Sequence, residues 1–263
     1  MLSGGGAMHL NDSIGNSNKV KYTCCLHEQA CVFAAESYAR STNTLGVTIV
    51  TTGPGATNVV TGIAASWIES TSLFVISGQV KCADLMTGTG VRQMGVQEVD
   101  IVSIVKPITK YAVMITEPQM IPYELEKCIF LAKNGRPGPV LLDIPLDIQA
   151  SRVDVSSLDG YTPEISSSEL SYNIEDDIEA VGKLLQSAKR PVIYAGAGVS
   201  LSGAKEEFLS LIDKLNIPVL ITWNGIDLIW EDHPMYVVRP WALGQIAANF
   251  VIQNSDLLLT IGT

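Results

Sequence analysis

The sequence predicts an α/β protein built on doubly wound parallel sheets. Three observations predict this class. Apolar residues make up 47% of the chain and charged residues only 17%, a balance suited to strands buried on both faces. Short apolar or β-branched runs alternate with segments whose apolar residues recur at helical spacing. The connections between them are mostly short and rich in glycine or proline, as βα units require. With 263 residues there is room for one large domain or two ordinary ones. The reading here is a first domain over 1–150, a Ser- and Asp-rich linker over 151–173, and a second domain over 174–263.

Residues 20–25 read as a short strand, and 28–41 as a helix with Ala30, Ala34, Ala35, Tyr38 and Ala39 at helical spacing. Residues 47–52 form a β-branched run, expected as a strand buried on both faces. Gly53-Pro54-Gly55 is a turn, 57–68 a small apolar helix, and 73–77 a strand. Residues 78–100 lack periodicity, and loops of that length are usually functional or mobile. Pro122 lies near the start of a helix with Leu125, Cys128, Ile129 and Ala132 on one face, which Asn134-Gly135 can terminate. Residues 140–144 form a strand ended by Pro145. In the second domain helices are expected at 174–187 and 205–215, and strands at 192–195, 219–222 and 257–261. Gly196-Ala197-Gly198 follows the first of these strands.

Composition excludes several classes. The net charge of -10 lacks the basic footprint of a nucleic-acid binder. No run of 18 apolar residues exists, so no membrane span is expected. Residues 1–18 lack the basic and apolar regions of a secretion signal. The five cysteines are an odd number in a chain that needs no staples, so reduced thiols and a cytoplasmic location are expected. His27-Glu28 lacks the second His of a zinc-protease helix, since position 31 is Cys. Cys24 and Cys25, adjacent on an expected strand, point to opposite faces. No metal site is therefore expected among them.

Two motifs carry chemistry. Glu28 opens a helix, where a carboxylate is favoured by the dipole alone. An apolar slot would also let such a carboxyl take and release a proton near neutral pH. Gly53-Pro54-Gly55-Ala56-Thr57-Asn58 follows a strand and opens the next helix. Its glycines let backbone turn sharply and approach a flat ring. Gly196 and Gly198 could admit a dinucleotide, but the third glycine of the fingerprint is missing.

Together these strings resemble the thiamine-diphosphate enzymes of the acetolactate synthase family. Gly4-Gly5-Gly6-Ala7, His27-Glu28-Gln29-Ala30, Tyr38-Ala39-Arg40, Ile76-Ser77-Gly78-Gln79-Val80, Gln97-Glu98-Val99-Asp100, Lys106-Pro107-Ile108-Thr109-Lys110, Gly135-Arg136-Pro137-Gly138-Pro139-Val140 and Asp143-Ile144-Pro145 carry the likeness. The resemblance implies a thiamine-diphosphate pyrimidine-binding domain followed by a Rossmann-like central domain. It implies decarboxylation of pyruvate and transfer of the two-carbon unit to a second 2-oxo acid, a step of branched-chain amino acid biosynthesis. It implies that Glu28 activates the cofactor, that Pro54 and Asn58 lie near its pyrimidine, and that Gly5, Gly6 and Gln97 line the reacting centre, with Gln97 a hydrogen-bond donor. Arg136 would contact FAD, with Gly196, Gly198 and Thr222 at the flavin-facing turns. Some relatives use the central domain only as scaffold, so FAD stays open. A homodimer or higher homo-oligomer is implied, and a regulatory subunit is compatible with it.

The sequence departs from the family pattern in three places. A strand and helix normally precede the glycine segment, so the first sheet is expected to lack its N-terminal strand. The loop at 81–96 is long, and Val96 replaces a usual Phe. The Gly-Asp-Gly and later Asn that hold Mg2+ against the diphosphate are not in the sequence, and the chain is expected to be a truncated, inactive piece. Other reactions on this scaffold stay open: a 2-oxo-acid decarboxylase or oxidase, or a carboligase with a sugar or aldehyde acceptor. So does a non-catalytic nucleotide-binding paralogue.

Overall fold

A computed structural model describes residues 1–163 and 174–263. It divides into two compact units, Met1–Glu164 and Ile165–Thr263. The part of the expected linker that falls on 164–173 lies outside the described residues.

The first unit contains α1 (Met8–Gly15), α2 (Glu28–Thr42), β1 (Gly46–Val50), the single turn α3 (Pro54–Thr57), α4 (Val60–Glu69), β2 (Leu73–Gln79), α5 (Ile101–Val105), β3 (Tyr111–Met114), α6 (Ile121–Lys133), β4 (Pro139–Pro145) and α7 (Leu146–Gln149). Its strands lie in the order β1-β2-β4-β3, all parallel. The two central strands, β2 and β4, are buried almost throughout, as their unbroken apolar runs require. Leu73, Val75 and Leu141 face a core with Val32 and Ala35 of α2, Ile63 of α4 and Ile101 and Val105 of α5. Phe74, Val140 and Leu142 face the opposite way, onto Cys128 and Ala132 of α6. Helices therefore cover both faces of one parallel sheet, the doubly wound arrangement. The His27 ring accepts from the Gln29 N–H and caps α2, which ends at Asn43 with a left-handed φ of 52°.

Several expectations need correction. Residues 20–25 form no strand; they run as exposed coil with Val20 and Tyr22 about half exposed, because no neighbouring strand takes up their ladder bonds. β1 is an edge strand among the described residues, so Val47 is 50% exposed and the burial alternates. The helix expected from 57 starts at Val60, after α3 has closed its own turn. Ile129 points outward, since the buried face of α6 runs through Glu124, Cys128 and Ala132. α1, α5, β3 and α7 carry no readable periodicity: α1 lies in a polar stretch, α5 and β3 flank Lys106-Pro107 in pieces of at most five residues, and α7 is a single turn. Residues 151–163, read as the start of a linker, instead turn back onto α6. The Tyr161 N–H donates to the Glu126 carboxylate at 2.7 Å, and the Tyr161 ring meets Tyr123 edge-on.

The second unit contains α8 (Ile174–Ser187), β5 (Pro191–Ala195), the short α9 (Gly198–Leu201), α10 (Lys205–Leu215), β6 (Val219–Ile221), β7 (Tyr236–Val238), α11 (Ile246–Asn254) and β8 (Leu257–Ile261). The sheet order is β7-β6-β5-β8, again all parallel. Ile193, Val219 and Ile221 pack on Phe208 and Ile212 of α10, and Val192 and Leu220 on Ala248 of α11. β7 and α11 were not expected. β7 has three residues and an irregular register against β6, too little for a periodic signal.

Candidate functional site

The carboxyl ends of β1, β2 and β4 converge on one edge of the first sheet, the edge at which open α/β sheets bind ligands. Glu28 is the first residue of α2 and is half-buried. Asn58, which ends α3, donates from Nδ2 to Glu28 Oε2 at 2.9 Å. The other carboxylate oxygen faces Gly55, where a Cβ would stand 3.3 Å from Oε1. A helix-capping charge alone needs neither contact, and these two aim the carboxyl at the glycine turn.

Gly53 opens that turn at φ 60° and ψ -120°, a backbone that side chains do not tolerate. It presses on the next piece of the site: a Cβ at Gly53 would lie 2.0 Å from the Gln97 carbonyl oxygen. Gln97 itself has φ 59°, a conformation uncommon outside glycine. Its exposed residue borders an open cleft of about 410 Å³ with Gly5, Gly6, Thr51, Val96 and Lys81 on the walls. The glycine segment is held from two sides. Gly6 N–H donates to Thr51 Oγ1 at 3.0 Å, and Gln149 Nε2 donates to the Gly6 carbonyl at 2.7 Å. Gly78 of β2 backs directly onto that carbonyl, leaving no space for a Cβ. Glu28 and Asn58 thus meet at the glycine turn that contains Pro54, while Gly5, Gly6 and Gln97 line the cleft, Gln97 packing on Gly53.

Beneath the cleft runs a polar network that sequence reasoning missed. Gln79 Oε1 accepts from Thr52 Oγ1 at 2.8 Å and from Val80 N–H at 2.9 Å. Gln79 Nε2 donates to the Val99 carbonyl at 3.0 Å and to Asp143 Oδ2 at 2.9 Å. Ser77 Oγ donates to Asp143 Oδ1 at 2.6 Å. Glu98, also buried, accepts from the N–H groups of Met86, Met94 and Gly95 and so ties down the long loop. The signal was present: each of these polar residues stands within or beside an apolar stretch that it interrupts. The partners of Asp143, however, are more than sixty residues away in sequence, which no local pattern reveals.

Burial pushes the Asp143 carboxyl up to about 7, against the bonds from Ser77 and Gln79 and with some help from the charge of Asp100. The fold therefore favours its protonated form. That contribution is complete below the ordinary value of 3.8 and is lost as pH rises through about 7. Urea unfolding of the wild type and Asp143→Asn, at pH 5 and pH 8, isolates it. Relative to the variant, the wild type should lose on the order of 3 kcal/mol over that interval. Parallel pH dependence in the two proteins would show that Asp143 does not hold a proton.

Arg136 does not join this group. It precedes β4, at the opposite edge of the parallel sheet, exposed, with Nε donating to Ser70 Oγ at 2.7 Å. In the second unit, Gly196, Gly198 and Thr222 do gather at strand ends. Gly196 and Gly198 N–H groups donate to the Ile261 and Gly262 carbonyls, each at 2.9 Å, and Thr222 N–H donates to Ala195 O at 2.8 Å. Strand order reverses between β5 and β8 at this point, which is where such sheets take nucleotides. The glycines there also have a purely structural need: a Cβ at Gly196 would lie 2.3 Å from Gly262 O. The adjoining pocket, about 250 Å³ with Phe208 and Glu207 in its wall, is smaller than the usual range of small-molecule sites. Among the described residues no group of three His, Cys, Asp or Glu side chains is placed to hold a metal ion, and no helix is long and apolar enough to cross a membrane.

Comparison with known proteins matches both units. Residues 1–104 match the family described as thiamine pyrophosphate enzyme, N-terminal TPP binding domain, and residues 178–263 match thiamine pyrophosphate enzyme, central domain. The chain is 38% identical to the acetolactate synthase large subunit of Corynebacterium glutamicum, covering 100% of this chain and 41% of that protein. A probable acetolactate synthase large subunit of Methanocaldococcus jannaschii is 36% identical, over 98% of this chain and 43% of its own length. The acetolactate synthase large subunit of Lactococcus lactis is 34% identical, over 99% and 44%. The chain spans about two fifths of the length of these curated relatives.

Proposed function

This chain carries the N-terminal and central domains of thiamine pyrophosphate enzymes, and from that premise we propose that it is the cofactor-activating part of an acetolactate synthase-type carboligase. The observation that carries the reading is the Asn58–Glu28 hydrogen bond set against the Gly53–Gly55 turn. Thiamine diphosphate, when bound, supplies a ring that accepts the electron pair left as carbon dioxide departs from a 2-oxo acid. The residues fit its pyrimidine end. Asn58 holds Oε2 of Glu28, leaving Oε1 to share a proton with a ring nitrogen. Close packing of Gly53 on the Gln97 carbonyl and of Gly55 on Thr51 fixes the turn beside the Glu28 carboxyl, and Pro54 is its exposed residue, so the turn supports a ring held at Oε1. Across the turn, Gln97 stands at the cleft wall, where its amide can donate to a substrate oxygen. Gly5 leaves open space around it, with no heavy atom within 4 Å of an added Cβ.

The same reading assigns the diphosphate and Mg2+ to a segment outside these residues, FAD to the β5–β8 switch point of the second unit, and a homodimer as the working unit, with 2-oxo acids as substrates. The protein at its full natural length, given pyruvate with and without a second 2-oxo acid, should release acetohydroxy acids only when thiamine diphosphate and Mg2+ are present. Acetaldehyde or acetate as the sole product would replace the carboligase reading with a decarboxylase or oxidase.

A further inference from the structure

Among the described residues, the wall of the cleft beside the glycine turn carries two charged side chains, Lys81 and Asp84. They do not pair with each other, and the Lys81 ammonium has no ion pair or hydrogen bond among the described residues. The backbone beneath that ammonium is anchored on both sides. The Val80 N–H donates to Gln79 Oε1 at 2.9 Å, and the Cys82 N–H donates to Asp147 Oδ1 at 3.1 Å. The Lys81 carbonyl itself accepts from the Asp84 N–H at 2.9 Å. A lysine that only solvates a surface needs no such footing. Here the footing sets an exposed, unpaired cation on the same wall as Gln97, Gly5 and Gly6. The chain as a whole has a net charge of -10 and repels small anions, so a local cation decides whether an anionic ligand settles in this cleft.

We propose that Lys81 determines specificity for the acceptor substrate by pairing with the carboxylate of the second 2-oxo acid, a proposal that rests on the carboligase reading. The chemistry separates the two substrates. The donor loses its carboxylate as carbon dioxide, so a cation paired with that group would stabilise the ground state and oppose the step. The acceptor keeps its carboxylate. Its keto carbon forms the new carbon–carbon bond and its keto oxygen takes up a proton, while the carboxylate carries the same charge before and after. An ion pair to that group is therefore uniform binding, which lowers KM and leaves kcat nearly unchanged. A lysine suits this task, because its ammonium is a compact point charge on a flexible stem and accepts a carboxylate without a fixed fork geometry. Gln97, on the same wall, is left to donate to the keto oxygen.

The protein at its full natural length, with thiamine diphosphate, Mg2+ and saturating pyruvate, is assayed for the mixed product while 2-oxobutyrate or its methyl ester is varied. The ester keeps the ketone and removes the charge. Lys81→Met should raise the KM for 2-oxobutyrate about 10-fold or more with kcat within about two-fold, and Lys81→Arg should stay near the wild type. Wild type and Lys81→Met should use the methyl ester equally. Lys81 is exposed and bonds through its backbone alone, so the substitutions leave the fold intact. An unchanged KM for 2-oxobutyrate in Lys81→Met, a fall in kcat alone, or an equal loss with the ester would each overturn the assignment and leave the carboligase reading standing. A wild type that forms no acetohydroxy acid would overturn the carboligase reading, and this assignment with it.

Discussion

Glu28→Gln in the full-length protein should lower turnover with pyruvate by about 10²–10⁴-fold, the range for losing a positioned proton-transfer group. The substitution preserves shape. A Gln amide oxygen can still accept from Asn58 Nδ2, the bond that now measures 2.9 Å, and the second position can still face Gly55. What disappears is the ability to take and return a proton. The thermal midpoint should therefore stay within the small range of neutral surface changes while the rate collapses. Steady-state product formation beside a thermal melt separates the outcomes. Undiminished turnover would leave Glu28 as a helix-start charge only, and an equal loss of rate and stability would mark it as structural.

Gly53→Ala should produce the largest loss of stability in the first unit, about 3–5 kcal/mol by urea unfolding. Two costs combine at this position. The backbone at φ 60° and ψ -120° suits no L-residue with a side chain. The new methyl would also stand 2.0 Å from the Gln97 carbonyl oxygen, a backbone atom that cannot rotate away. Gly5→Ala serves as the control, because nothing lies within 4 Å of its added carbon; it should change stability by no more than about 0.5 kcal/mol. Equal, small effects at both positions would mean that the Gly53 turn relaxes freely and is not a fixed seat.

The central strands and the long helices were legible because burial writes itself into composition. β2 and β4 are covered on both faces and read as unbroken apolar runs; α2 was legible as a helix, but of its expected face only Ala35 and Ala39 are buried, Ala30, Ala34 and Tyr38 being exposed and Cys31 and Val32 packing in their place. Residues 20–25 misled because a strand needs a partner as well as a propensity. β3 and β7, with four and three residues, lie where their pattern is too short to rise above neighbouring prolines. The two motifs around Glu28 and Gly53 were legible as strings, but the Asn58–Glu28 bond that joins them, thirty residues apart in sequence, was not. The Asp143 network was not, since Ser77, Gln79 and Asp143 meet only after two parallel strands have paired in register.

The full occupancy of Gln79 has a consequence for how the cleft can work. Its amide has four hydrogen-bonding places, and Thr52, Val80, Val99 and Asp143 fill all of them. Turning the amide over would set donor against donor at the Val80 N–H and acceptor against acceptor at the Val99 carbonyl. The ends of β1, β2 and β4 and the backbone behind Gln97 are thereby locked as one preorganised plate, ordered when the chain folds and not when a ligand arrives. Any induced fit is left to the outer loop at 81–94, which hangs from Glu98 by its own backbone amides.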